Sequence, residues 1–333
     1  MRDDRKRIDR WVKRAVGKML VAGLLGIVAV FAAAQDYPTR PVRVIVPNAA
    51  GSLNDSLARL VFAKLSQSLG QQFVVDNRVG GGGIIAAEAV ARAAPDGYTL
   101  LASSNSVLVV NPFLFPKLGY DPLRDFEPIT LLAKVSEVLV VNPALGAKTV
   151  EEFVRLAKAQ PGRISYASGG NGHPTHLMME LFQRKAGIQL LHVPFKGTSP
   201  AMQAMAAGEV DAFNIGIGLA RPHITSGKVI ALAKTGFPSK DALGGIAPLT
   251  ASYPEAEYIP TQLVVAPRGT PADVVAKLNA EIGRALALAD IRERMMNLDM
   301  TATPSTPPEL ERTIRGELDL HRELIKAIGL KNE

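Results

Sequence analysis

Short runs of β-branched residues alternate with amphipathic stretches along most of this chain, which restricts the folds open to it. The first run, Val42–Val46, is predicted to be a strand, and apolar residues at helical spacing follow over 54–69. Further strands are predicted at 73–75 and 98–102, with a helix at 84–93 between them. This order favours a βαβαβ unit with a parallel sheet.

A second series of the same kind follows the proline-punctuated segment 111–128. Its predicted strands lie at 137–141, 164–167, 190–193, 210–213 and 229–233, and its predicted helices at 149–162, 175–186 and 199–207. A strand at 263–265 then returns to the first series, before helices at 271–288, 289–297 and 307–328. We therefore predict an α/β fold of two Rossmann-like lobes joined by crossing strands, with lobe 1 at 35–135 plus 253–333 and lobe 2 at 136–252.

The first 34 residues have the pattern of an export signal. Eight basic residues lie within 2–18, an apolar run covers 19–34, and a small-residue cleavage site ends at Ala34. The alternative is a membrane anchor, but this run of sixteen residues is shorter than the ~20 that a transmembrane helix needs. The twin-Arg pattern is also absent. We expect cleavage near Ala34 and a periplasmic protein.

Composition excludes several classes of function. The predicted leader holds eight basic and three acidic residues, so its removal lowers the formal charge from +7 to +2. The rest has no basic stripe with interleaved aromatic residues, which argues against nucleic acid as a partner. The chain has no cysteine, which excludes disulfides, thiolate metal sites and thiol nucleophiles. Nothing in the sequence indicates a cofactor.

Two loops are candidate anion sites. In the first, 47–55, small residues follow a predicted strand and precede a helix, so that open backbone N–H groups and the helix dipole favour an anion. The alternative is an ordinary loop in which Ser52 or Asn54 caps the helix. The second loop, 168–176, repeats the arrangement with Pro174 suited to the first helical turn. If the lobes face each other, both helix N-termini point into one cleft, where a carboxylate fits.

Three enzymatic or metal-binding interpretations are weaker. Residues 81–86 fit a dinucleotide fingerprint, but the next strand ends without the acidic residue that binds a ribose. Ser168 resembles a nucleophile elbow that lacks one glycine. His173 and His176 have neither metalloprotease spacing nor a third ligand nearby. We therefore expect no enzyme and no metal site.

The chain also carries a set of segments in a characteristic order and spacing. They are Tyr37-Pro38-Thr39-Arg40-Pro41, Asp76-Asn77-Arg78, Pro95-Asp96-Gly97-Tyr98-Thr99-Leu100-Leu101, Tyr120-Asp121-Pro122 with Asp125-Phe126, Tyr166-Ala167-Ser168-Gly169, His192-Val193-Pro194-Phe195-Lys196-Gly197, Ala207-Gly208-Glu209-Val210-Asp211 and Ala266-Pro267-Arg268-Gly269-Thr270-Pro271. Together they resemble the Bug-type (TctC-like) receptors of tripartite tricarboxylate transporters, almost to the C-terminus.

The resemblance implies a two-lobed type II periplasmic binding fold that holds a small carboxylate between the lobes. It further implies delivery to a membrane permease of one large and one small subunit, and we expect a monomeric receptor. Residues 48–54 and 168–176 correspond to the carboxylate clamps. The expected ligand-binding residues are Asn48, Ala49, Gly51, Ser52, Asn54, Ser104, Ser168, Gly169, Gly172, His173, Thr175, His176, Lys196 and Asn214. Lys196 meets a ligand carboxylate or is simply solvated.

Departures from the family pattern occur in these same places. Asn48 stands where the family usually has Phe, and Asn214 where it usually has Asp. An amide repels a carboxylate or hydroxyl less than a carboxylate does, so we expect a di-acid or hydroxy-acid rather than an amino acid. A role in signalling, in which the loaded receptor engages a sensor kinase, is the alternative to transport. A LysR-type regulator would need an N-terminal helix-turn-helix where this chain has its leader.

Overall fold

Strands and helices alternate along the chain as the sequence predicts. A computed structural model describes residues 37–236, 243–256 and 258–329, so the predicted leader at 1–34 lies outside the described residues. The strands are β1 (Val42–Val46), β2 (Phe73–Asn77), β3 (Thr99–Ser104), β4 (Phe126–Val141), β5 (Ser165–Ser168), β6 (Leu191–Pro194), β7 (Ala212–Gly216), β8 (Ile230–Gly236), β9 (Thr261–Pro267) and β10 (Met300–Ala302). The helices are α1 (Leu53–Leu69), α2 (Ile84–Ala91), α3 (Ser106–Val109), α4 (Asn111–Leu114), α5 (Val150–Ala159), α6 (Pro174–Ala186), α7 (Thr198–Ala207), α8 (Ile217–Thr225), α9 (Ala272–Ala287), α10 (Ala289–Asn297) and α11 (Pro307–Ile328).

The long strand β4 belongs to two groups of strands. Its first half pairs antiparallel with β9 and β10, and β9 continues through β3 to the parallel strands β1 and β2. Its second half pairs antiparallel with β7 and β8, and β7 continues through parallel pairing to β5 and β6. The resulting order is β2-β1-β3-β9-β4-β7-β5-β6. One strand therefore connects two α/β halves, as crossing strands are expected to do.

Local sequence signals explain where the main helices begin and end. Ser52 accepts a hydrogen bond from the Asp55 backbone N–H to cap α1, and Gly70 ends that helix in the left-handed conformation. Thr149 caps α5 in the same way, as predicted, through the N–H of Glu152. Burial of the apolar faces then fixes the helices on the sheet. No helix among the described residues has the length and apolar character to cross a bilayer.

The structure changes the bounds of two predicted elements and adds others, of which α8 is the longest. Strand β4 begins at Phe126 rather than at Glu137, and a shift of register beside Pro128 accommodates the proline that suggested a loop. Helix α8 was not predicted, because Gly216, Gly218 and Pro222 are poor helix formers. Helix α5 ends at Ala159, short of Gly162, which lies in the following turn.

Candidate functional site

A cavity of about 1190 Å³ lies at the ends of strands from both halves. Among the residues that line it are Asn48, Gly51, Ser52, Asn54, Leu114, Glu137, Gly172, His173, Thr198, Ser199, Gly218 and Asp299. No lysine or arginine occurs among the described residues that line it. An anion in this cavity would therefore be held by backbone N–H groups and neutral side chains.

The first predicted loop enters the cavity at the N-terminus of α1. Local hydrogen bonds hold the backbone of this loop in place. The Gly51 N–H donates to Asp55 Oδ2 at 2.8 Å, and Asp55 in turn forms a salt bridge with Arg59. Gly51 has a φ of 80°, which glycine adopts readily. The N–H groups of Leu53 and Asn54, in the first helical turn, have no acceptor inside the helix. This end of α1 can thus donate to an anion.

The second predicted loop enters the cavity at the N-terminus of α6, with Pro174 as its first residue. The His173 ring accepts from the Thr175 N–H at 3.2 Å and so caps the helix, and the Gly169 N–H donates to Thr175 Oγ1 at 3.0 Å. Gly172 has a φ of 72°, and its N–H donates to His176 Nδ1 at 3.1 Å. Side chains therefore hold the backbone of this loop in one conformation.

Three stacked rings support the second loop from beneath. His176 and His192 are parallel with centroids 3.9 Å apart, and Tyr166 stacks on His192 at 4.9 Å. Burial lowers the pKa of both histidines to about 4; repulsion from His173 adds to the effect on His176, and repulsion from His176 adds to the effect on His192. The rings are therefore neutral at pH 7. Ser168, fully buried, joins them through a 2.6 Å hydrogen bond between its Oγ and His192 Nε2.

Two further helices present their N-termini to the cavity, and neither was predicted to do so. Thr198 and Ser199 of α7 line it, and α7 has no side-chain cap. Gly218 of α8 also lines it, but the N-terminus of α8 is occupied by the Asp299 carboxylate, which accepts from the Gly218 N–H. Asp299 also pairs with Arg221 at 3.3 Å. Two helix N-termini at the cavity, those of α1 and α7, thus keep backbone N–H groups without an acceptor inside the helix, whereas α6 begins with Pro174 and is capped by His173.

One carboxyl group in the cavity wall, that of Glu137, belongs to a buried polar network. Asn214 Nδ2 donates to Glu137 Oε2 at 2.6 Å, and Thr235 Oγ1 donates to Asn214 Oδ1 at 2.6 Å. Burial raises the pKa of Glu137 to about 7, and the hydrogen bond from Asn214 partly offsets that rise. Glu137 is therefore protonated in a large fraction of molecules near neutral pH.

Nine of the predicted ligand-binding residues line the cavity. They are Asn48, Gly51, Ser52, Asn54, Ser104, Gly169, Gly172, His173 and Thr175. Ala49 is exposed outside it, as is Lys196, so the structure favours the solvated interpretation of Lys196. Ser168, His176 and Asn214 lie behind the wall, where they hold other residues in place.

The residues that the sequence analysis did not identify are Glu137, Asp299, Thr198 and Ser199. The sequence predicts Glu137 as the first residue of a strand, and its long polar side chain beside four apolar residues is the local signal of another role. The dinucleotide interpretation of residues 81–86 loses its context, because Gly81–Gly83 forms a 3₁₀ turn before α2 in the cavity wall. No three His, Cys, Asp or Glu side chains are grouped for a metal ion in the described part of the chain.

Comparisons with known proteins agree with this architecture. The chain is 33% identical to the protein BugT of Bordetella pertussis, over 94% of this chain and 99% of BugT. Rpa4515 of R. palustris, solved with adipate, superposes with a TM-score of 0.77 at 30% identity, over 89% of this chain and all of that one. MatC of Rhodopseudomonas palustris, solved with bound malate, gives 0.72 at 32% identity over 87% of this chain and all of MatC.

These likenesses confirm the predicted two-lobed α/β fold of periplasmic binding proteins. The family described as "Tripartite tricarboxylate transporter family receptor" matches residues 57–330, which is most of the chain. The match includes α6, α7, α8 and both halves of β4. The chain belongs to this family of tripartite tricarboxylate transporter receptors, as a Bug-type member.

Proposed function

We propose that this protein is a periplasmic solute receptor that captures a small di-acid or hydroxy-acid and delivers it to a tripartite tricarboxylate-type membrane transporter. The observation that carries the proposal is the cavity itself, which gathers the open N-termini of α1 and α7 and contains no lysine or arginine among its described residues. Helix N-termini bind carboxylates through backbone N–H groups and the helix dipole. Solved relatives with adipate and malate support the same ligand class.

An unpaired atom in the wall favours a hydroxyl group on the ligand. Asn48 Oδ1 is buried and has no hydrogen-bond partner among the described residues. A buried acceptor without a partner costs about 1–3 kcal/mol, which a hydroxyl donor from the ligand would recover. Asn48 replaces an apolar residue of the usual family pattern, so this acceptor would distinguish a hydroxy-acid from the unsubstituted acid.

Transport requires that the loaded receptor differs in shape from the empty one. Because the cavity is built from both halves, a ligand that contacts both stabilises the arrangement in which all its contacts are made. We propose that the hinge lies near residues 135–138 and 253–262, with lobe boundaries at 135/136 and 252/253. The permease, of one large and one small subunit, would recognise the closed form.

A thermal-shift screen of the protein without its proposed leader, residues 35–333, tests the proposal. The panel contains mono-, di- and tricarboxylates, amino acids and the matched pair malate and succinate. A ligand at 100 times its Kd should stabilise the fold by about 2.7 kcal/mol. We expect shifts with di-acids and a larger shift with malate than with succinate. Selective binding of amino acids, or no shift with any acid, contradicts the proposal.

A further inference from the structure

The cavity that attracts an acid also contains acidic groups of its own. Glu137 and Asp299 both line it, while no cationic lysine or arginine does so among the described residues. An ionised carboxylate in the wall repels a carboxylate ligand, and the repulsion is strong where water is excluded. For a carboxylate ligand to bind, each of these two acidic groups must therefore be uncharged or have its charge offset by a neighbouring group.

Burial raises the pKa of Asp299, but a neighbouring cation and a backbone N–H partly offset that rise. Its Oδ1 pairs with Arg221 Nη2 at 3.3 Å, and the carboxylate also accepts from the Gly218 N–H at the start of α8. Glu137 pairs with no cation among the described residues. Only 6% of Glu137 is exposed, and its side chain accepts a hydrogen bond from the neutral amide of Asn214.

The hydrogen bonds behind Glu137 determine where its proton lies. Thr235 Oγ1 donates to Asn214 Oδ1, so the Nδ2 group of Asn214 faces Glu137 and donates to Oε2. Oε2 is thus an acceptor and has the character of the carbonyl oxygen in a neutral carboxyl group. The proton of the neutral form then lies on Oε1, the oxygen that Asn214 leaves unused.

The surroundings of Glu137 favour the neutral form. Besides Asp299 with Arg221, Tyr258 interacts electrostatically with both Glu137 and a second buried acid, Glu317. The remaining titratable groups on the neighbouring segments are Lys134 on β4, Lys234 on β8, His223 on α8 and His173 across the cavity. Lys134 interacts electrostatically with Glu317, and Glu137 forms no ion pair with Lys234, His223 or His173 within the described residues. Burial raises the pKa of Glu137 to about 7.

We propose that Glu137 contacts the bound acid in its neutral form and donates its proton from Oε1 to a ligand carboxylate, so that binding takes up one proton. This inference rests on the proposed function and names the residue that couples it to pH. The neutral acid acts as a donor towards the ligand, whereas the ionised form would repel it. Glu137 would thus select for anionic groups without placing a permanent charge in the wall.

The sign of the pH effect follows directly. Binding favours protonated Glu137, so the ligand raises its pKa further, and affinity is greatest below pH 7 and falls as pH rises through 7. With a free-state pKa of about 7, the protonated fraction, and with it the affinity, falls about tenfold between pH 6 and pH 8. The proton inventory at pH 8 should approach one proton taken up per ligand.

Isothermal titration calorimetry with malate and adipate at pH 6, 7 and 8, in buffers of different ionisation enthalpy, tests the inference. In Glu137→Gln the amide keeps a donor towards the ligand but cannot titrate. We expect this variant to bind at pH 6 more weakly than the wild type, because an amide is a weaker donor than a carboxyl group, and to lose the tenfold pH dependence. Glu317→Gln is the matched control: Glu317 is buried with a pKa raised to about 7 by burial but does not line the cavity, so this variant should keep the pH dependence.

Three outcomes would overturn the inference. They are pH-independent binding by the wild type, affinity that rises with pH, and a folded Glu137→Gln variant that no longer binds at pH 6. The last would show that Glu137 acts as an ionised acceptor for a donor group of the ligand. If the wild type binds neither acid at any pH, the dicarboxylate function itself is contradicted, which separates the two failures.

Discussion

Gly172 connects the conformation of one loop to the packing of the other half of the molecule. Its φ of 72° suits glycine, and a Cβ at this position would lie 2.3 Å from Leu114 Cδ1 in α4. The proposed boundaries place Leu114 in lobe 1 and Gly172 in lobe 2. Any side chain at 172 must therefore displace Leu114 or keep the two lobes apart.

We predict that Gly172→Ala weakens ligand binding at least tenfold, since a loss of about 1.4 kcal/mol in binding suffices for that factor. Both the strained φ and the contact with Leu114 contribute. Gly227→Ala is the matched control, because Gly227 has the same φ of 72° and open space around its Cα. The control shares the backbone strain and lacks the collision.

Urea unfolding and calorimetry with malate measure the two effects. The clash should lower the free energy of unfolding of Gly172→Ala by about 2 kcal/mol more than that of the control. Equal losses of unfolding free energy in the two variants, with unchanged affinity for malate in both, would mean that the close approach of residue 172 to Leu114 affects neither stability nor binding.

Residue types show why part of the site was predictable. Small and polar residues between a predicted strand and a predicted helix leave backbone N–H groups open, and Asn48, Ser52 and Gly172 were identified from that signal. Asn214 was expected in the cavity, but side chains alternate along β7, and Ile215 lines the cavity instead. Glu137 was not predicted as a cavity residue, because a single polar residue in a strand does not indicate which residues of other strands it contacts.

Helix α8 depends on a residue far away in the sequence. Asp299 caps it through the Gly218 N–H, and Asp299 is the only non-glycine residue with a positive φ, 55°, in the part of the chain that the structure describes. Aspartate tolerates this conformation better than most residues do. The strained backbone of Asp299 is thus retained because the side chain of this residue caps another element, α8.

Replacing Asp299 should therefore destabilise the protein in two separable ways. We expect Asp299→Ala to lose about 2 kcal/mol of unfolding free energy, because it removes the cap and leaves an alanine in the left-handed region. Asp299→Gly removes the cap but relieves the φ, so it should lose about 1 kcal/mol less. Chemical denaturation measures both, and a glycine variant as unstable as the alanine variant would contradict the role of backbone strain.

Elements were predictable where local signals agreed and not where tertiary structure overrode them. Thr149 and Glu152 indicate the start of α5, and Pro174 indicates the start of α6. Pro128 argues against a strand, yet β4 runs through it because the register shifts there against β9. Strand β10 has only three residues, which is too short for the alternation of apolar and polar residues that predicts a strand.

The two halves of the protein should move together when a ligand binds. If closure occurs about the proposed hinge, small-angle X-ray scattering should show a smaller radius of gyration with saturating malate than without it. A neutral sugar of similar size, which lacks an anionic group for the helix N-termini, should leave the radius unchanged. An unchanged radius with bound malate would contradict a closing mechanism.

The position of β9 has a consequence for the synthesis of the chain. β9 lies between β3 and β4, and β10 also pairs with the first half of β4, yet both follow residues 142–260 in the sequence. Until β9 has been made, β3 and the first half of β4 are open edges with unpaired backbone groups. A nascent or truncated chain that stops before Thr261 should therefore be prone to aggregation and a natural substrate for chaperones.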